Sequence, residues 1–189
     1  MRNVVLLGFL VLGGLVLGKP ISDKQLVTRL VQAGRVVRFE HVRLGAPLAG
    51  HSLERKYRLQ VRDPNDQVVM VEWFLAVAKG TTHVFKSGVT LPQGSDIGNS
   101  GFALGLVVGI VLQSCLGASP AVASEIEGWF VSRMEVLLER GRGQYEKAFG
   151  PIYMAFIGNA SFGIGELTIA ISRAGKPGTG WNSYCTIAP

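Results

Sequence analysis

The sequence predicts an α+β fold: a largely antiparallel sheet packed against two or three helices, as a single domain after a signal peptide. Three observations carry this. Alternating apolar and polar positions recur from residue 35 to 78, two helical patterns follow between 101 and 142, and strand patterns return from 151 onward. Strands and helices in separate runs suit α+β, whereas regular alternation of the two would suit a parallel α/β sheet. With 48% hydrophobic and 17% charged residues the chain is too apolar to be disordered. It holds no internal repeat and no linker.

The N-terminus reads as an export signal. Arg2 precedes the uncharged run Val4 to Gly18, fifteen residues ending at Lys19-Pro20. A spanning helix takes roughly 20 apolar residues, so this run suits a signal-peptide core better than an anchor. Val16 and Gly18 are small enough for the −3 and −1 positions. Cleavage there leaves residues 19–189 as one domain and places it outside the cytoplasm, periplasmic or secreted.

A first helix starts at Ser22, where Ser22 and Gln25 fit a capping box, followed by Leu26, Val27, Leu30 and Val31 at helical spacing. Arg35 to Arg43 then alternates loosely, with Val37, Phe39 and His41 opposite Arg38 and Glu40. Ser52 to Arg62 alternates cleanly, with Leu53, Tyr57, Leu59 and Val61 on one face. Asp63-Pro64-Asn65-Asp66 is a turn. Gln67 to Ala78 is apolar on both faces and reads as a central strand. A fourth strand falls near Thr82 to Phe85, and Leu91 to Ser100 reads as a polar, Gly-rich loop.

Gly101 to Ala118 follows, part of a stretch without charge between Asp96 and Glu125. Gly101, Gly105 and Gly109 share one helical face, as close packing against another element requires. The segment reads as a buried helix, with a membrane-inserted helix as the alternative. Ser119-Pro120 then caps the clearest helix of the chain, with the stripe Val122, Ile126, Trp129, Phe130, Met134 and Leu137 and terminating glycines at 141 and 143. Residues 151–157 and 163–172 read as strands, and a short strand is expected around Tyr184.

The net charge of +6 lies almost wholly in residues 19–90, which hold twelve Lys/Arg against six Asp/Glu. Arg38 on one strand and Lys56, Arg58 and Arg62 on the next form a basic sheet face and are the candidate ligand-binding residues. Such a face suits an anionic envelope component, although alternation alone puts polar residues outward. An apolar cleft beside helix 101–118 suits an apolar small molecule. No nucleic-acid motif stands out. Cys115 and Cys185 are the two cysteines; an oxidising compartment allows them to form a disulfide.

The chemical motifs are incomplete. Gly98-Asn99-Ser100-Gly101 is similar to the nucleophile loop of chymotrypsin-like serine proteases, but too little chain precedes it for that barrel, and a helix follows. Gly175 to Gly180 is similar to part of a phosphate-binding P-loop but lacks the required Lys-Ser/Thr and a helix behind it. Asp63, Asn65 and Asp66 lack the Gly and Glu of a calcium loop. Three dispersed histidines give no metal spacing, so neither a metal nor another cofactor is expected. Asn159-Ala160-Ser161 is a glycosylation sequon in a eukaryotic setting. The expected function is therefore that of an exported, non-enzymatic binding or interaction protein. The alternatives are an exported hydrolase whose residues converge only in the fold, with His83, Asp96 and Ser100 as first candidates, and a small membrane protein with 101–118 inserted.

Overall fold

A computed structural model describes residues 20–32, 36–42, 51–63, 65–78, 80–175 and 183–187, without the side chains at 51–53, 78 and 102. The expected signal segment 1–18, Arg43 and most of the 175–180 glycine loop lie outside the described residues.

The chain runs β1 (Pro20–Ser22), α1 (Asp23–Gln32), β2 (Val36–Val42), β3 (His51–Arg62), β4 (Val68–Ala78), β5 (Val84–Asp96), α2 (Ile97–Ser114), α3 (Pro120–Arg140), β6 (Arg142–Phe149), β7 (Ile152–Ser161), β8 (Ile164–Arg173) and β9 (Tyr184–Thr186). Seven strands form one antiparallel sheet in the order β2-β3-β4-β5-β8-β7-β6, and β1 pairs with β9 in a separate parallel ribbon. Two meanders, β2 to β5 and β6 to β8, thus meet at the β5–β8 pair, and the α2–α3 pair carries the chain between them. The fold is α+β.

One sheet face is apolar because alternation puts Tyr57, Leu59 and Val61, then Val71, Trp73 and Leu75, on the same side as Ile169, Ile171 and Phe156. All three helices cover this face: α1 at the β2 side, α2 across β4, β5 and β8, and α3 over β6 and β7. The α2 helix is apolar around its circumference, as a helix enclosed on several sides must be. It is long and apolar enough to cross a membrane, yet 65% of it is buried within the protein between the sheet and its neighbouring helices.

The helix ends follow from local chemistry. Ser22 N donates to Gln25 Oε1 at 2.9 Å and Gln25 N to Ser22 Oγ at 3.2 Å, which is the capping box. Ser119 Oγ accepts from Val122 N with Pro120 at the first turn, and Gly141 at φ +76° ends α3. In the β3–β4 turn, Asp63 Oδ1 accepts from the amides of Asn65 and Gln67, both at 2.8 Å.

Three expectations need correction. Leu91 to Asp96 belongs to β5, not to a loop. Pro92 and Gly94 fall where the β5–β8 register shifts between Leu91 and Ser95, an irregularity that tolerates a residue without an N–H. The buried helix accordingly starts at Ile97 and ends at Ser114, four residues earlier than expected. Residues Arg142–Phe149 form β6, an edge strand that follows α3 after one glycine.

The two cysteines are joined: Cys115 at the C-terminal end of α2 and Cys185 in β9 form a disulfide with Cα atoms 4.4 Å apart. Both are fully buried.

Candidate functional site

The four basic residues read from the sequence lie together on the uncovered face of the sheet. Register places Arg38 opposite Gln60, Glu40 opposite Arg58, and Arg58 opposite Glu72. Carboxylates interleave with the cations. Lys56 Nζ lies 2.5 Å from Glu72 Oε2, Arg58 lies 3.6 Å from Glu72 and 3.9 Å from Glu40, and Arg62 lies 3.4 Å from Asp66. The hydrogen bond from Lys56 and the two nearby cations hold the Glu72 carboxyl below its ordinary range. The face is basic by composition but largely compensated locally.

A different arrangement forms on the helix-covered side. Between α1 and the β2–β3 edge lies a groove of about 740 Å³. Its helical wall is made by α1: Leu26, Val27 and Leu30 are buried in the core, Val27 also reaching the groove, and Val31 borders the groove in the open. Val31 is 41% exposed, and across from it Phe39 of β2 is 48% exposed. Large apolar side chains left open on both walls of one cleft are the usual lining of a small-molecule site.

The floor is polar and ordered. Asp23, the first residue of α1, is buried, and its Oδ2 accepts from the Tyr57 hydroxyl at 2.9 Å. Arg55 Nε lies 3.8 Å from the same oxygen. Burial first, then the hydrogen bond to Asp23, raises the Tyr57 phenol well above its ordinary value of 10.0. Tyr57 stacks on Trp73 with centroids 4.9 Å apart, and His41 tilts against its other side at 5.5 Å. Trp73 in turn donates to Ser87 Oγ at 3.0 Å, and Ser87 donates to the Phe74 carbonyl, which fixes the stack from beneath. The groove therefore presents apolar walls, an immobilised phenol–carboxylate pair, and Arg55, Lys24 and His41 as hydrogen-bond donors or cations within one lining.

The residues considered for hydrolysis do not assemble. Asp96 is the N-cap of α2, with Oδ1 on the Asn99 amide at 3.0 Å. Ser100 is buried in the first turn of that helix. His83 lies just before the opposite end of β5 and bridges to Thr186; at about 3.3 Å per residue, the strand puts roughly 40 Å between it and Asp96. Burial also lowers the pKa of His83. Among the described residues no group of three or more His, Cys, Asp or Glu side chains could hold a metal ion.

Sequence reasoning missed the groove. It placed His41 and Tyr57 on the faces of two different strands and drew nothing from Asp23. The available signal was Arg55, Tyr57 and His41 interrupting strand faces that are otherwise largely apolar, with a carboxylate opening the preceding helix. No protein-family model, curated protein or solved structure matches the chain.

Proposed function

We propose that this chain is an extracytoplasmic, non-enzymatic binding protein that holds a small amphiphilic molecule in the groove between α1 and the β2–β3 edge. The observation that carries the reading is the pairing of exposed apolar walls, Val31 and Phe39, with a fixed polar floor at Asp23, Tyr57 and Arg55. The apolar body of the ligand lies along Val27, Val31 and Phe39, and its anionic or hydrogen-bonding head turns toward Arg55, Lys24 and His41. The buried disulfide is compatible with an oxidising, extracytoplasmic location.

The test is a fluorescence titration of the full protein with 1-anilinonaphthalene-8-sulfonate and with dodecanoate as competitor. Saturable binding displaced by dodecanoate is expected. Val31→Asp and Phe39→Asp, both at exposed positions, should each weaken it at least tenfold with an unchanged far-UV spectrum, since each puts a charge where the apolar body lies. Equal affinity in wild type and both variants sinks the assignment.

The basic face remains a second proposal, for contact with an anionic envelope component through Arg38, Lys56, Arg58 and Arg62. The alignment of these cations across β2 and β3 supports it, and the interleaved Glu40, Glu72 and Asp66 weaken it.

A further inference from the structure

The disulfide sits at the junction that holds the groove wall in place. Cys185 is the middle residue of β9, and its partner across the parallel ribbon is Ile21 of β1. One residue later β1 ends at Ser22, the N-cap of α1, and the next residue is Asp23 of the groove floor. Cys115 caps the C-terminal end of α2. Its neighbour Ser114 accepts a hydrogen bond from Arg29 Nη1 of α1 at 3.1 Å. The end of α2 therefore holds α1 by two routes, one through the Arg29–Ser114 bond and one through Cys115, Cys185, β9 and β1.

Few hydrogen bonds hold that ribbon among the described residues, although Ile21, Cys185 and Ile187 are buried in the core. Both of its strands are three residues long. Besides the disulfide, the described anchors of the β9 segment are the Ser183 hydroxyl on the Gln113 carbonyl at 2.6 Å, the Ile187 amide on the Thr82 carbonyl at 3.0 Å and the His83–Thr186 bridge. A ten-residue helix such as α1 is marginal in water without its tertiary contacts. The seven-stranded sheet, by contrast, closes its ladders without passing through either cysteine.

We infer that oxidation of Cys115 and Cys185 switches the groove on: the dithiol protein has the sheet but a loosened β1–α1 segment, and the disulfide completes the wall and floor of the binding site. This rests on the groove being the ligand site. Formation is a thiol–disulfide exchange with a disulfide-bearing oxidant. One cysteine thiolate attacks the oxidant, giving a mixed disulfide, and the second cysteine thiolate displaces it. The protein loses two electrons and two protons, and the oxidant leaves as two thiols. Ligand capture is thereby confined to an oxidising compartment, so the chain cannot sequester its ligand before export.

The experiment compares the oxidised protein with the Cys115→Ala/Cys185→Ala double variant by amide hydrogen exchange and by the fluorescent-probe titration. Amides of Leu26 to Gln32 should exchange at least tenfold faster in the variant, those of β4, β5 and β8 should keep their protection, and probe affinity should fall at least tenfold. If the variant does not fold, the wild-type protein is reduced by dithiothreitol under native conditions, alkylated, and followed in the same way. Unchanged α1 protection, unchanged probe affinity, or loss of sheet protection together with α1 in the reduced wild type overturns the inference. If α1 loosens as expected but the oxidised protein binds neither probe nor dodecanoate, the amphiphile reading fails and the disulfide's hold on α1 stands.

Discussion

The Tyr57 hydroxyl donates to the Asp23 carboxylate at 2.9 Å, joining the third strand of the chain to the first residue of its first helix. The bond spans 34 positions in sequence and is buried at both ends. It has a pH consequence. The phenol is held protonated in the folded state, so its folded pKa lies above its unfolded value of about 10. The stability from this shift is full below pH 10 and is lost as the pH rises above it, because the unfolded chain then releases a proton that the folded chain retains. Denaturant midpoints should therefore decline from about pH 10 upward. Tyr57→Phe should flatten that decline and cost about 1–3 kcal/mol at neutral pH by leaving Asp23 short of a donor. An alkaline decline that persists unchanged in the variant counts against the assignment.

Charge on the open sheet face gives a second prediction. Reversing Lys56, Arg58 and Arg62 to Glu should weaken binding to phosphatidylglycerol vesicles, with the difference shrinking as salt is raised. Glu72→Gln should strengthen it, since Lys56 and Arg58 both lie within ion-pair distance of that carboxylate. Cosedimentation at low and high ionic strength measures both. No change in either variant removes the face from consideration.

Loss of the disulfide should lower global stability as well as loosen α1. Closing a loop of 70 residues is worth about 4 kcal/mol on the chain-entropy model. For a domain of this size that is about 10 °C in Tm. Differential scanning calorimetry of the Cys115→Ala/Cys185→Ala variant measures it; a shift under two degrees contradicts the estimate.

Gly165 is fixed by backbone, not by turn geometry. A Cβ there would sit 1.7 Å from the Asn159 carbonyl oxygen of the paired strand, which cannot move without breaking the β7–β8 ladder. Gly165→Ala should cost about 2–3 kcal/mol, at the upper end of overpacking effects. At Gly88 the obstruction is only the Phe74 ring, a side chain able to rotate, so Gly88→Ala should cost less. Chemical denaturation of the two variants gives the ranking, and an equal or reversed order contradicts it.

What the sequence determined by itself is local. The Ser22–Gln25 box, the Ser119-Pro120 start of α3, the Asp63 turn and the alternation of β3 all appear in place, because each depends on groups within a few residues of one another. Alternation likewise determined which face of each strand is apolar, and with it the α+β class. Tertiary structure decided the rest. Leu91–Asp96 is a strand only because β8 supplies the pairing, and Arg142–Phe149 only because β7 does. The basic residues are where alternation puts them, but their carboxylate partners come from adjacent strands and a turn, so their compensation is a matter of register. The groove is the extreme case. Asp23, His41, Arg55 and Tyr57 belong to three elements, and no single segment shows that they converge. Packing α1 over the β2–β3 edge creates the cleft, since a ligand site needs convergence of side chains in space, and convergence is set by topology instead of by neighbours in the chain.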